Sequence, residues 1–138
     1  MTPPLQPEEQ ARVLIDEQLT QAGWHVCDRQ DIDLVNQYGN AVREVVMDAG
    51  HGRADYLLYV DKRVVGVIEA KPSGTTLSGV QWQSAMYAAG LPEAYRETAV
   101  LKDDRLPFIF EASGTETHYT NGFDPNPRSR KIFNFPQP

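Results

Sequence analysis

Ala54-Asp55-Tyr56-Leu57-Leu58-Tyr59-Val60-Asp61-Lys62-Arg63-Val64-Val65-Gly66-Val67-Ile68-Glu69-Ala70-Lys71 is the clearest local structure in the chain. Tyr56 to Val60 and Val64 to Ile68 are rich in aromatic and β-branched residues, and the polar Asp61-Lys62-Arg63 joins them, so the stretch reads as a β-hairpin. Val64 to Ala70 is almost continuously apolar, the pattern of a central strand buried on both faces. Burying Glu69 at the end of such a strand is costly unless its carboxylate is paired or holds a metal. Side chains alternate along a strand, so Glu69 and Lys71 point to one face.

Working outward, Pro7-Glu8-Glu9 followed by Val13, Leu14 and Leu19 predicts a helix from Pro7 to Ala22 with Leu14 and its neighbours on the core side, stopped by Gly23. Asp28 to Tyr38 is polar and reads as loop. Arg43 to Asp48 reads as a strand, and Ala49 to Gly52 as a turn. Pro72-Ser73-Gly74 ends the hairpin, and Thr76 or Ser78 can cap a helix running to Ala89, where Gly90 and Pro92 stop it. Leu106 to Phe110 and Thr115 to Thr120 read as further strands. The expected fold class is α/β, a small mixed β-sheet flanked by helices. The 138 residues fit one domain over residues 1–120. The Pro- and Asn-rich segment 121–138 is read as a C-terminal arm.

The composition, 41% apolar and 23% charged, is that of a globular protein. No apolar run is long enough for a membrane span, and the first residues have no secretory pattern, so a cytoplasmic location is expected. Cys27 is the single cysteine and His25, His51 and His118 are widely spaced, which excludes an internal disulfide and a Cys-based zinc site. The net charge of −6 argues against a protein that grips nucleic acid through an overall positive field. Basic charge is concentrated at Arg128, Arg130 and Lys131, which are expected to contact phosphate or a following domain; the competing interpretation is a solvated linker.

Asp55 lies near the start of the hairpin's first strand, where pairing brings its carboxylate towards Glu69. Two carboxylates on rigid strands suit Mg²⁺, which takes oxygen ligands and keeps several waters. Phosphodiester hydrolysis needs a nucleophilic hydroxide, charge neutralisation at phosphate and a stabilised leaving oxygen, all of which a metal can serve, with Lys71 adding a positive charge. The competing interpretation of Glu69 and Lys71 is a solvated surface pair. Gln83 and Tyr87 are four apart and share a face of the following helix, as they would in any amphipathic helix.

Taken together, these residues resemble the PD-(D/E)xK nucleases, and more narrowly the N-terminal endonuclease domain of type I restriction enzyme R (motor) subunits. The family's first-helix pattern E-x-x-x-R-x-x-L-I-D with a following G-W looks like Glu8, Arg12, Leu14-Ile15-Asp16 and Gly23-Trp24. Its A-D-Y-L-L is matched by Ala54 to Leu58, its I-E-A-K by Ile68 to Lys71, and its Q-x-x-x-Y by Gln83 and Tyr87. Thr120-Asn121-Gly122 and Pro125 to Arg130 look like the segment leading towards the motor.

The resemblance implies a restriction-endonuclease-like core and Mg²⁺-dependent cleavage of double-stranded DNA. Asp55, Glu69 and the Ala70 carbonyl would be metal ligands, Lys71 the catalytic lysine, and Glu8, or its neighbour Glu9, an auxiliary acid. Gln83 and Tyr87 would support the site and contact DNA. Modification and specificity subunits would be partners. Glu93 to Arg105 is longer than the family usually has there. The chain has no G-x-x-x-x-G-K-[ST] phosphate loop, so ATP would act only through motor domains of a full-length subunit. The alternatives are a repair or recombination nuclease carrying the same Q-x-x-x-Y element, and a non-catalytic DNA-end or protein-docking module of the same fold.

Overall fold

A computed structural model describes residues 7–46, 53–72, 99–100, 106–121, 130–132 and 134–138. The described elements are helix α1 (Pro7–Gln21) and strands β1 (His25–Cys27), β2 (Gly39–Val46), β3 (Arg53–Val60), β4 (Arg63–Ala70), β5 (Phe108–Ala112), β6 (Thr117–Asn121) and β7 (Arg130–Ile132). A short 3₁₀ turn, Arg29–Asp31, lies within the expected loop. The strands form one mixed sheet in the order β1-β2-β3-β4-β5-β6-β7. Only the β1–β2 and β4–β5 pairs are parallel. The fold is the α/β architecture expected. The predicted helix over 76–89, the turn over 49–52 and, apart from residues 99–100, the long stretch 93–105 lie outside the described residues.

The β3–β4 hairpin turns at Asp61 and Lys62, whose φ angles of 48° and 69° are left-handed. A two-residue turn of this hand matches the twist of the strands it joins, and it pairs Val60 with Arg63. β4 is the central strand the apolar run predicted. Val64, Val67, Ile68, Glu69 and Ala70 are all 3% exposed or less, because neighbours pair on both edges and apolar clusters cover both faces.

One face carries Tyr56, Leu58, Ile68, Ala70, Phe110 and Ala112 against α1. The other carries Val42, Leu57, Val64, Val67 and Ile109. α1 docks through Ala11, Ile15 and Leu19, each fully buried and spaced i, i+4, i+8. Leu14 is 38% exposed instead of facing the core as expected, because it lies one residue off that stripe.

Tyr56, fully buried, donates from its hydroxyl to the Asp16 carboxylate at 2.5 Å and faces the Arg12 carbonyl at 3.2 Å, tying helix to sheet. Burial, reinforced by hydrogen bonding to Asp16, pushes the phenol well above its ordinary pKa, so it remains a donor. Tyr56→Phe should lower unfolding stability by about 1–2 kcal/mol, read by urea titration, because Asp16 loses its buried donor.

Several elements differ from the pattern-based expectation, among them β6, which begins at Thr117 where Thr115 is expected. β1 is too short for its periodicity to show. β2 begins at Gly39, four residues earlier than expected, because the fully buried Asn40 satisfies its amide locally, accepting from Asp33 N and donating to the Asp33 and Gln37 carbonyls. β5 begins at Phe108, after Pro107, which has no N–H to give to a ladder. From the expected arm, Arg130–Ile132 adds an edge strand to the same sheet. Farther along, Trp24 Nε1 donates to the Pro136 carbonyl at 2.8 Å, and Phe135 packs against Phe110.

Candidate active site

Tyr56 and Ile68 are paired across the hairpin, and Asp55 and Glu69 each stand one residue beyond that pair on adjacent strands. The Asp55 carboxylate accepts the Ala70 N–H through Oδ2 at 2.9 Å, which fixes it to the end of β4. Lys71 Nζ lies 3.0 Å from Glu69 Oε1. The side chains of Glu69 and Lys71 are 4% and 22% exposed, so they are not a solvated surface pair. The Lys71 backbone N–H is in turn held by the Ala112 carbonyl at 2.8 Å, anchoring the strand end to β5.

Arg12, which in sequence only fills a helix pattern, grips Asp55 Oδ1 at 2.6 Å and Glu44 Oε1 at 2.8 Å with its guanidinium. Glu44 has a left-handed φ of 54° within β2, and the ladder pairs Arg43 with Tyr56 and Val45 with Ala54 on either side of it. A non-glycine residue held in that region stores of order 1 kcal/mol of strain, here directly across from Asp55. Arg12→Ala should lower unfolding stability by about 1–3 kcal/mol in a denaturant titration, because the nearly buried Asp55 loses its ionic donor.

Pattern reading missed Glu111. It pairs with Glu69 in the parallel β4–β5 register and is 2% exposed. Burial, reinforced by the Glu69 charge and opposed by Lys71, pushes its carboxyl up to about 7. The signal available in sequence was an acid inside the apolar run Phe108-Ile109-Phe110-Glu111-Ala112, the same anomaly that marked Glu69.

Along one row across the sheet lie Glu69, Glu111, His118 and Lys131, each paired to the next. Lys131 is exposed and 3.4 Å from Glu116, and Arg130 is exposed beside it in β7. Glu8 is in the first turn of α1, but its side chain is outside the described atoms, as are Gln83, Tyr87 and Arg128.

Among the described residues no group of three or more His, Cys, Asp or Glu side chains could hold a metal ion. Buried Cys27 lies in an apolar cluster. The donors present are paired carboxylates beside main-chain carbonyls, a hard-oxygen set that fits Mg²⁺, which needs only one or two protein carboxylates, and does not fit zinc. An apolar cavity of about 300 Å³ between Trp24, Phe110 and Pro136 opens on the α1 side of the sheet and belongs to packing, not to this chemistry.

The sheet and its helix define the class first: a restriction-endonuclease-like α/β domain. In fold the chain is similar to a structure described as an HsdR-subunit fragment of a type I restriction enzyme from Vibrio vulnificus YJ016, with a TM-score of 0.63 at 20% identity. The match covers 96% of this chain and 24% of that one, so the chain spans about a quarter of that fragment's length. A family model, the type I restriction enzyme EcoKI endonuclease subunit second domain, matches residues 35–123, more than half of the sequence, and the chain belongs to this family. Comparison with curated protein sequences finds no match.

Proposed function

We propose that this chain is the DNA-cleaving domain of a type I restriction enzyme R subunit, hydrolysing phosphodiester bonds of double-stranded DNA with Mg²⁺. The observation that carries this is the tethering of Asp55 to the Ala70 N–H, which brings two carboxylates and the Lys71 ammonium to the end of one buried strand. Asp55, Glu69 and the Ala70 carbonyl would hold the ion, which when bound supplies Lewis acidity and a more acidic water. Lys71 places a cation where phosphate charge develops, held there by Glu69. Arg12 keeps the Asp55 carboxylate oriented. Glu8, Gln83 and Tyr87 are assigned auxiliary and DNA-positioning roles from the family pattern alone.

Arg130 and Lys131, with Arg128, would meet the DNA backbone. Lys131 lies three strands from Glu69 in one row, roughly 14 Å at ordinary strand spacing. The acidic net charge of −6 fits a cutter whose grip and targeting come from other parts of the assembly: motor domains using ATP, and the modification and specificity subunits. Such an assembly would work in the cytoplasm. A non-catalytic docking module is the second reading, favoured by the Arg12 guanidinium on Asp55 Oδ1, where a cation would otherwise sit.

The test is cleavage of plasmid DNA by the full-length subunit with its partner subunits, ATP and Mg²⁺. Loss of cutting in Asp55→Asn and Glu69→Gln, with folding intact, supports the nuclease reading. Cutting by both at the wild-type rate removes it.

A further inference from the structure

Apolar side chains on a well-anchored loop are expected to turn inward, and the loop between β1 and β2 obeys this only in part. Ile32 and Leu34 pack against the core on the face opposite α1. Val35 and Tyr38 are 84% and 59% exposed, the two most exposed large apolar side chains among the described residues. The loop that carries them is pinned. The fully buried Asn40 side chain donates to the Asp33 and Gln37 carbonyls, the Asp33 carboxylate accepts the Asn36 N–H at 2.9 Å, and the Tyr38 carbonyl accepts the Asp61 N–H of the hairpin turn at 2.9 Å. Single apolar residues scattered over a surface mean little, but two on one fixed loop have the form of a contact awaiting its other half.

What stands beside the loop decides the occupant. Pro138 packs onto Gly39, the residue after Tyr38: a Cβ on Gly39 would lie 2.2 Å from Pro138 Cβ. With Trp24 Nε1 holding the Pro136 carbonyl, the C-terminal arm delivers the chain to the foot of this loop. The charges of the loop and the adjoining hairpin turn nearly balance, Asp28, Asp31, Asp33 and Asp61 against Arg29, Lys62 and Arg63, so no positive field draws a phosphate backbone here. Size argues against a separate protein: two side chains offer of order 200 Å² of apolar surface, against about 800 Å² per side in a stable interface. A neighbour tethered to the same chain needs far less, because a short link holds it at a roughly millimolar effective concentration.

We propose that Val35 and Tyr38 are the docking point for the polypeptide that follows Pro138 in a full-length subunit, an apolar face of the next domain packing on this loop. The inference rests on the reading of the chain as the cutting domain of a longer subunit. Its consequence is orientation. Val60, the ladder partner of Gly39, lies five residues along β3 from Asp55, roughly 17 Å at ordinary strand rise. The neighbour therefore holds the domain at the end of the sheet away from the carboxylates and leaves their end to DNA.

The experiment is hydroxyl-radical footprinting of the full-length subunit, read at Tyr38 by mass spectrometry. Wild type and Val35→Asp are compared, each alone and assembled with the modification and specificity subunits. Val35 projects into solvent, so the variant should melt with the wild type; should it melt lower, Val35→Ser takes its place. In the subunit alone Tyr38 should be oxidised slowly, and Val35→Asp should raise the rate about fivefold or more by opening the contact. A rate in the subunit alone that the Val35 variant leaves unchanged, fast or slow, overturns the docking. Protection of Tyr38 that appears only on assembly overturns the tethered neighbour in favour of a separate subunit. Footprinting does not depend on cutting: an unprotected Tyr38 in a subunit that cleaves DNA sinks the docking alone, whereas wild-type cutting by Asp55→Asn and Glu69→Gln with Tyr38 protected sinks the nuclease reading alone.

Discussion

Glu69→Gln should slow Mg²⁺-dependent DNA cleavage by at least about a hundredfold while leaving the protein as stable as the wild type, or more so. The two halves of that result have separate causes. Glu69 is 3% exposed, and an ionised carboxylate at that depth is expensive to bury, so an uncharged isostere relieves the fold. On the proposed reading the same substitution takes away a charge that would hold the metal, and it leaves Lys71 with an amide oxygen in place of a carboxylate. Lys71→Ala is a less clean probe, because it strips the ammonium 3.0 Å from a buried carboxylate and should destabilise the fold by about 3 kcal/mol as well as stopping cleavage. Gel-based cleavage rates and melting temperatures, measured on the same preparations, separate the two effects. A Glu69→Gln enzyme cutting at the wild-type rate would remove Glu69 from the chemistry.

Gly66→Val should unfold the domain at 37 °C, the largest stability effect expected of any single change here. A Cβ on Gly66 would lie 2.3 Å from the Phe108 carbonyl oxygen and 3.0 Å from Phe108 Cβ. The nearest obstacle is backbone, which cannot swing aside, and Gly66 pairs with Phe108 in the parallel β4–β5 ladder. Overpacking of this kind goes beyond the usual 1–3 kcal/mol and approaches the entire stability of a small domain. Gly66→Ala already places the offending atom and should cost about 3 kcal/mol or more in a urea titration. A cost under about 1 kcal/mol would mean that β5 can shift against β4 without penalty.

Legibility in the sequence followed the strength of local signals. The hairpin was readable because two long apolar runs flank a polar turn, and from it came the central position of β4 and the shared end of Asp55 and Glu69. Family resemblance supplied the roles. The contribution of Arg12 was not readable, because an arginine on a helix next to a buried stripe looks like any solvated residue until the sheet places Asp55 beneath it. Glu111 was missed for a related reason: the expected strand stopped at Phe110, one residue short of it. The strand over Leu106 to Phe110 was set two residues early because propensity weighed the apolar side chains and not the missing N–H of Pro107. His25 to Cys27 has too few residues for any period to register.

The order in which strands join the sheet bears on how the site comes into being. Asp55 and Glu69 flank the Tyr56–Ile68 pair of a hairpin with a two-residue turn, so hairpin closure, an event of microseconds, brings the two acids onto neighbouring strand ends. β5 meets β4 only after about 40 residues of intervening chain, and long-range parallel pairing is slow because loop closure comes before its reward. The Ala112 carbonyl that anchors Lys71, and Glu111 with it, therefore arrives late. During synthesis the nascent domain would hold its two hairpin acids early and acquire the lysine anchor last, so a partly folded chain would carry the acids without an aligned lysine.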